Sequence, residues 1–356
     1  MTLIKIFKFF IKKIYFLFLN RTHKVNAVGV LNNSIHYENI PIIDLDRDWD
    51  FKIESVTLIS FGGEDYHSEN SKFPVIESWV DSNGYTFANN RYFLNEQYIK
   101  ILEAKKKNKK KIEDKLYVLP YYTSHFGHFS GEILGSLLYY LKWIKKNNYK
   151  RKLLILTASE EWNNFLTKFF KEECFIIYPE DALSNNYILK NVKILPRMST
   201  WQNFQISKNI LNSYLTEEYK DINIFLTTER AERITNIKNL VDSLKKKNFE
   251  VLNPTHVDVQ TLLTKIRNCN ILITEKASIA NNLNIIREKP FYILLSRNEK
   301  NLSKKLFAGA GIHKSFLTGL MKEIYCDDDP FAENIKPYKK SIRVDINKLF
   351  SEINLQ

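Results

Sequence analysis

The sequence predicts an α/β fold of two Rossmann-like α/β domains facing a cleft, with a β-rich region ahead of them. Three observations point there. Strand-like and helix-like segments alternate twice, once from about residue 115 and again from about residue 222, the rhythm of successive βαβ units. The length, 356 residues, suits about two domains at roughly 100–200 residues each. Hydrophobic residues make up 44% and charged residues 26%, the balance of a globular chain and not of a disordered one.

Residues 1–22 are the first element. They are apolar and basic, and their longest uncharged run, Ile14–Asn20, falls far short of the ~20 residues that span a bilayer. A small-residue cleavage site is missing, so the stretch does not read as a signal peptide. On a helix, Lys5, Lys8 and Lys12 share one side, and Ile6, Phe7, Phe10, Ile14 and Leu17 the other. That is the pattern of a helix lying on an anionic membrane surface, here through residues 1–20. An amphipathic helix packed on the protein's own core would look the same.

Residues 23–205 form the next domain. Its first part, 24–100, reads as β-rich, with short alternating runs such as Ser55–Phe61 and Tyr85–Phe93 broken by Gly62-Gly63, Pro74 and Ser82-Asn83-Gly84. The basic run Lys105–Lys111 reads as a solvated helix end or loop. It lacks the aromatic interleaving of a nucleic-acid site, so no nucleic-acid partner is expected. Strands are then expected at Leu116–Pro120, Leu153–Thr157, Phe175–Tyr178 and Val192–Leu195, with helices at His125–Ile144 and Glu160–Phe170. A longer helix at 203–218 bridges to the second series.

Residues 206–330 repeat the alternation. Strands are expected at Ile222–Thr227, Glu250–Leu252, Ile271–Thr274 and Phe291–Leu295. Ile234, Ile237, Leu240, Val241 and Leu244 mark one helix face; Val259, Leu262, Leu263 and Ile266 mark another. Thr255 with Asp258 three residues on looks like a capping box for that second helix. Ser278–Ile286 is a short helix, and residues 331–356 pack back as a C-terminal segment.

Glycine usage excludes several functions. The chain has 10 glycines, where average usage would give roughly 25. They form neither a Walker-type nor a G-x-G-x-x-G loop, which argues against P-loop NTPases, dinucleotide-binding enzymes and protein kinases. Cys174, Cys269 and Cys326 are odd in number and form no C-x-x-C, so neither a disulfide framework nor a zinc site is expected, and a reducing cytoplasm is the natural compartment. Lys+Arg number 53 against 40 Asp+Glu, a net charge of +13.

Two constellations carry chemistry. The first is Tyr121–Gly135, following a strand and opening a helix. Gly127, Gly131 and Gly135 fall at i, i+4 and i+8, which on an α-helix is one stripe where a backbone or ligand can approach. His128 and Glu132 are also i, i+4. A carboxylate one turn from an imidazole can orient it and raise its basicity, as a general base requires. The same spacing also fits a surface ion pair beside packing glycines. The second constellation joins Phe225–Arg233 to Ile273–Asn282, both just past expected strand ends, where open α/β sheets bind ligands. Arg230, Arg233, Lys276 and the helix start at Ser278 would make a glycine-free diphosphate site. Alternatively, the arginines pair with Glu229 and Glu232 on the surface.

From about residue 115 to 296 the chain resembles the glycosyltransferase family 61 domain of plant cell-wall and bacterial capsule or lipopolysaccharide enzymes. The family's first motif, approximately N-x-G-H-W-x-x-E-x-L-P-R-L, appears as Ser124–Leu134, keeping Gly127-His128-aromatic-x-x-Glu132 but with Phe129 for Trp and Gly135-Ser136 for Pro-Arg. The second, an Arg-rich turn after a strand, matches Leu226–Arg233. The third, P-H-G-A-x-L-x-N, aligns with Glu275–Asn282 without its His and Gly. The resemblance implies a GT-B-like transferase that needs no metal or cofactor, with a nucleotide sugar as co-substrate and a glycan or lipid-linked acceptor. It implies His128 and Glu132 as catalytic residues. Arg230, Arg233, Lys276, Ser278, Asn281 and Asn282 fall on the donor, and His125, Gly127 and Gly131 on the acceptor side. Such an enzyme works in the cytoplasm, peripheral on the inner face of the plasma membrane.

Three other readings compete. A metal-dependent GT-A-type transferase would use an Asp-x-Asp such as Asp44-Leu45-Asp46, Asp46-Arg47-Asp48 or Asp327-Asp328-Asp329. A polysaccharide acyltransferase would need a serine nucleophile, but Ser130 lacks the G-x-S-x-G elbow. A non-catalytic basic scaffold would bind membrane or acidic polymer by its surface. His23, His36, His67, His256 and His313 carry no assigned role, and Trp79, Trp162 and Trp201 are expected to pack.

Overall fold

The computed structural model describes residues 53–62, 76–82, 85–87, 107–119, 121–157, 159–195, 198, 200–216, 218, 221–228, 233–275, 278–282, 291–297, 321–328 and 341–353. The amphipathic segment 1–22, the acidic pairs at Asp44–Asp48, Lys105, Lys106, Glu229, Arg230, Glu232, Lys276 and Asp329 lie outside them. The described chain is a mixed α/β structure and divides into two compact units, Met1–Asn203 and Phe204–Gln356.

The first unit is built on one mixed sheet. Its strands are β1 (Ile53–Gly62), β2 (Ile76–Ser82), β3 (Tyr85–Phe87), β4 (Lys109–Ile112), β5 (Leu116–Val118), β6 (Tyr121–Thr123), β7 (Lys152–Ile155), β8 (Cys174–Ile176) and β9 (Asn186–Ile194). The order runs β3-β2-β1-β9-β5-β7-β8, with β4 also on β9 and β6 also on β2. β9, β5, β7 and β8 are parallel, while β1 joins β9 antiparallel. The β-rich N-terminal region is therefore continuous with the α/β sheet. Only Leu119 and Pro120 separate β5 from β6, yet β6 pairs with β2, three strands away across the order. The sheet must curl until the β2 edge returns to the carboxyl end of β5.

The basic run falls differently from the expectation. Lys109–Ile112 is a strand whose three lysines face solvent and whose Ile112 is buried, held by parallel pairing to β9. Just ahead of it, the Lys107 ammonium donates to the carbonyls of Ser60 (2.7 Å) and Leu183 (2.5 Å). Backbone pairing and two carbonyl acceptors override the polar composition that suggested a loop or helix end.

Helices cover this sheet. A helical turn Phe126–His128, a π turn Phe129–Ile133 and α1 (Leu134–Asn147) run without a break; α2 (Glu160–Phe170) and α3 (Pro179–Ser184) follow. Ser159 caps α2 by accepting from the Trp162 N–H, and Trp162 is buried against Phe129. Gly135 allows the closest approach: a Cβ there would lie 2.3 Å from the Asn203 carbonyl oxygen and 2.4 Å from its Cα. Asn203 lies in the first turn of α4 (Thr200–Asn212). Its amide locks this crossing, accepting from the Ser136 N–H (2.8 Å) and donating to the Met198 carbonyl (2.9 Å).

The second unit is a doubly wound sheet. β10 (Asn223–Leu226), β11 (Phe249–Leu252), β12 (Ile271–Glu275), β13 (Phe291–Arg297) and β14 (Met321–Asp328) lie in the order β11-β10-β12-β13-β14, all parallel, with antiparallel β15 (Ile342–Arg343) at the end. α5 (Ile237–Lys246) connects β10 to β11, and α6 (Val259–Asn268) connects β11 to β12. Because parallel crossovers are right-handed, these opposite directions put the two helices on opposite faces. Packing agrees: Ile237, Leu240, Val241 and Leu244 of α5 share one core with Phe225, Ile273, Leu295 and Cys326, and α6 contributes nothing to it. Leu349 of α7 (Ile346–Glu352) completes that core.

Two local expectations need correction here. Asp258 itself caps α6, accepting from the Thr261 N–H at 2.9 Å, while Thr255 bonds Asn253; the helix starts one residue after the carboxylate, so the capping box is not formed. The bridging helix ends at Asn212, short of residue 218. Elsewhere, the non-glycine residues with positive φ among those described are Asn148, Asn191, Asp221 and Asn248. A glycine-poor chain fills left-handed positions with the side chains that tolerate them best.

Candidate functional site

The first cluster forms where β6 runs into the helix. Tyr122 fixes the turn before it: its buried hydroxyl accepts from the Leu119 N–H (2.7 Å) and donates to the Leu154 carbonyl (3.1 Å). Burial pushes the Tyr122 phenol well above its ordinary pKa, so it stays a neutral donor. Thr123, also buried, accepts from the His125 N–H at 3.1 Å and so starts the helical run. The Phe129 N–H donates to the His125 carbonyl (2.8 Å), and Phe129 is fully buried on Trp162.

The π turn follows at once. The Leu134 N–H donates back to the Phe129 carbonyl, five residues earlier, giving the wider turn that is common at functional sites. Its extra residue per turn breaks the single α-helical stripe expected for Gly127, Gly131 and Gly135. Gly135 serves the Asn203 crossing, Gly131 is buried and Gly127 is half-buried.

His128 and Glu132 meet across this turn, with Nδ1 and Oε1 2.7 Å apart. The Glu132 side chain is 10% exposed and that of His128 is 39% exposed, so the carboxylate is inside and the imidazole reaches the surface. A carboxylate only accepts, so Nδ1–H donates to it and the basic lone pair sits on Nε2. The His125 ring lies beside it, 5.2 Å between centroids and tilted by 55°. Ser130 is buried and donates to the Gly127 carbonyl at 3.2 Å. The cluster thus offers an oriented imidazole with a buried carboxylate behind it.

The second cluster lies at the carboxyl ends of β10 and β12. That is the point where the chain direction across the sheet reverses, and where open parallel sheets leave a crevice for ligands. The Thr227 N–H donates to the Leu252 carbonyl, and Thr274 Oγ1 to the Leu226 carbonyl, so both strand ends are fixed. Glu275, the last residue of β12, is buried, and its carboxylate accepts from Thr228 Oγ1 at 3.4 Å. Arg233 Nη1 lies 3.8 Å from its other oxygen. Sequence reasoning quoted Glu275 only within a motif; its position became visible once strand order was known.

The other donor-side residues are placed as follows. Arg230 and Lys276 lie outside the described residues. Ser278 opens a 3-10 turn, Ser278–Ala280, that passes directly into α-helix at Asn281 and Asn282, and the rest of the expected helix, residues 283–286, lies outside the described residues. Asn281 is half-buried; Asn282 is buried and donates to the Ile279 carbonyl at 2.9 Å. The segment carrying Arg233 is sewn to β15: the Ile342 N–H donates to the Arg233 carbonyl and the Thr235 N–H to the Ile342 carbonyl. Next to it the Asn236 amide makes a two-way pair with the Val344 backbone (2.8 and 3.0 Å).

Cys174, Cys269 and Cys326 are buried thiols, and burial pushes Cys174 and Cys269 up to about 12. Among the described residues no group of three His, Cys, Asp or Glu side chains converges as a metal set. No described helix is long and apolar enough to cross a membrane.

No family model matches the chain, and no curated protein matches it. Among solved structures, the chain is similar to the dodecameric iron-containing heptosyltransferase TibC in complex with ADP-D-beta-D-heptose, at TM-score 0.27 and 10% identity over 68% of this chain and 73% of that one. It is also similar to the iron-containing dodecameric glycosyltransferase TibC from enterotoxigenic E. coli H10407, at TM-score 0.25 and 9% identity over 67% of this chain and 73% of that one. A likeness this slight carries neither fold nor activity.

Proposed function

We propose that the chain is a glycosyltransferase of the family 61 type with a GT-B-like architecture. It moves a sugar from a nucleotide-sugar donor to a hydroxyl of a growing surface glycan, capsule or lipopolysaccharide, and needs no resident metal. The observation that carries this reading is the 2.7 Å His128–Glu132 contact, with a buried carboxylate holding a surface-reaching imidazole beside a π turn. In this reading Nε2 of His128 takes the acceptor hydroxyl's proton as that oxygen bonds the anomeric carbon. Glu132 keeps the tautomer and steadies the imidazolium. Arg230, Arg233, Lys276, Ser278, Asn281 and Asn282 hold the donor, whose leaving diphosphate gains charge as the bond to sugar breaks. His125, Gly127 and Gly131 face the acceptor, and residues 1–20 bring the enzyme to the cytoplasmic membrane surface.

A donor screen tests it. Nucleotide sugars are offered with and without EDTA, and hydrolysis and melting temperature are read. At least one donor is expected to raise the melting temperature and to be turned over with EDTA present. His128→Ala lowers that turnover by about 10²–10⁴-fold, the usual worth of a general base, and Glu132→Ala lowers it less. Full transfer by the His128→Ala protein overturns the assigned base. Loss of turnover in EDTA returns the metal-dependent reading.

A further inference from the structure

The outer edge of β4 carries three lysines in succession, and its place in the sheet leaves them uncovered. β1 occupies one edge of β9 from Tyr187 to Val192, so β4 and β5 share the other edge, end to end. β7 pairs with β5 and begins only at Lys152, level with Leu116. Among the described residues no strand lies beyond β4, so its outer edge is unpaired. Successive strand residues point to opposite faces, yet Lys109, Lys110 and Lys111 are all exposed, so both faces of β4 reach solvent there.

The connection from α1 to β7 adds charge beside this edge. Asn148 closes α1 in the left-handed conformation, and Lys150-Arg151-Lys152 follow. The Arg151 guanidinium donates to the Asn191 carbonyl, at the joint between the β4-paired and β5-paired parts of β9. It also lies 5.9 Å from the centre of the Tyr117 ring. Lys115, at the same joint, is exposed, and its carbonyl accepts from the Lys152 N–H at 3.2 Å. Glu113 and Asp114 stand among these cations, and Lys190 pairs with Glu113 at 3.0 Å. Lysines on a strand edge deter pairing with other chains, but that role asks nothing of Lys115 or Lys150, which lie outside the strands.

A row of cations on an open edge complements a repeating polyanion. A bilayer fits less well, because surface docking on lipid adds apolar side chains to charge. Tyr178 is the large apolar side chain that the described residues expose, and it lies past the carboxyl end of β8, at the opposite end of the strands. Nucleic acid also fits less well. Its bases stack on aromatic faces, and here Trp143 and Tyr149 are stacked on each other, 4.4 Å between centroids. We infer that the β4 edge and the α1–β7 turn form a docking surface for an anionic glycan, with the lysines on its carboxylates. The 14 residues of α1, about 21 Å of helix, separate this surface from the His128 turn. It stands independently of the transferase reading.

Fluorescence anisotropy of the full-length chain with labelled hexagalacturonate and a labelled sialic acid hexamer tests this. Maltohexaose is the neutral comparison. A short DNA duplex and vesicles of equal parts phosphatidylcholine and phosphatidylglycerol are the rival occupants. The wild type is expected to bind at least one acidic hexamer, more weakly as salt rises, and not to bind maltohexaose. Replacing Lys109, Lys110 and Lys111 together with Gln weakens that binding about tenfold, the combined worth of three exposed ion pairs. Replacing Lys115 and Lys150 with Gln weakens it about threefold, and carries the test should the triple variant fail to fold. Replacing Lys238, Lys245 and Lys246 of α5 with Gln removes the same charge from the other unit and changes affinity less than about twofold. Donor hydrolysis stays at the wild-type rate in all three variants, so the result is read apart from the proposed activity. Equal weakening by the two triple variants overturns the inference, because net charge alone would then attract the glycan. Tighter binding of the duplex or the vesicles than of both hexamers overturns it in favour of that occupant. So does self-association of the β4 variant with hexamer affinity unchanged, since the lysines would then only guard the edge. A wild type that binds neither hexamer removes the surface and leaves the transferase reading standing.

Discussion

Lys107 shows how a single side chain can decide local structure against its own composition. Its ammonium is half-buried between the Ser60 and Leu183 carbonyls, and that partial burial lowers its pKa below the ordinary 10.5. Below the folded-state pKa, the lysine is charged in both states and its contribution does not depend on pH. Between that pKa and 10.5 the unfolded chain holds more protons, so stability rises with pH across this window. Replacing Lys107 with Met strands two carbonyls and should lower stability at neutral pH by about 1–3 kcal/mol. Urea melts of both proteins from pH 7 upward should show the gap widening as the window is crossed. A gap that stays flat with pH would place the ammonium in solvent, and one that narrows would mean that the fold favours its charged form. His128 and Glu132 work at the same scale but were readable from the sequence, because i, i+4 spacing on any helical turn brings two side chains together. Glu275 was not readable in that way. A lone acid after a strand gains meaning only from a neighbouring strand contributed by residues 223–226, about fifty positions earlier.

Elements were legible in proportion to how much of their cause is local. Glu160–Phe170 matches the expected span residue for residue, because Ser159, two glutamates in the first turn and an apolar stripe all lie within the helix and its cap. The strand Lys109–Ile112 was invisible, since three exposed lysines and one buried isoleucine carry no alternation, and only the pairing with β9 makes it a strand. β14 and the C-terminal β15 and α7 were missed too. Residues 342 and 344 find partners in the 233–236 segment, some hundred positions away. The π turn is likewise a consequence of packing on both sides, with Phe129 held by Trp162 and Gly135 held against Asn203. That last contact gives a direct test. In an isolated helix Gly135→Ala would gain about 1 kcal/mol. Here the new methyl would sit 2.3–2.7 Å from Asn203 backbone atoms, which cannot swing aside as a side chain can. Overpacking should win, for a net loss of about 1–3 kcal/mol in chemical denaturation. An unchanged or raised midpoint would mean that the crossing is looser than this.

At the scale of the whole chain, the two units complete their cores in different ways. The first closes its sheet by curling, with residues that end at Asn203. The second cannot finish its core from the βαβ series alone. The face covered by α5 also needs Ile342, Val344, Leu349 and Ile353 from the end of the chain. These four residues sit on a segment pinned by the Asn236 amide and by the Ile342 backbone, so their apolar burial and the shape of the β10–α5 connection depend on each other. Removing residues 341–356 would uncover that face of the parallel sheet, which requires helices on both sides. Losing four buried aliphatic side chains, at roughly 1.5–3 kcal/mol each, is comparable with the whole stability of a domain. Hydrogen exchange on the truncated protein should therefore show amide protection collapsing in β10–β14, where stability depends on the missing residues. β5, β7 and β9, whose pairing lies wholly in the first unit, should keep theirs. Protection lost equally in both sets would mean that the units unfold as one cooperative body. Protection kept in β10–β14 would mean that the C-terminal segment is an accessory to that core and not a part of it.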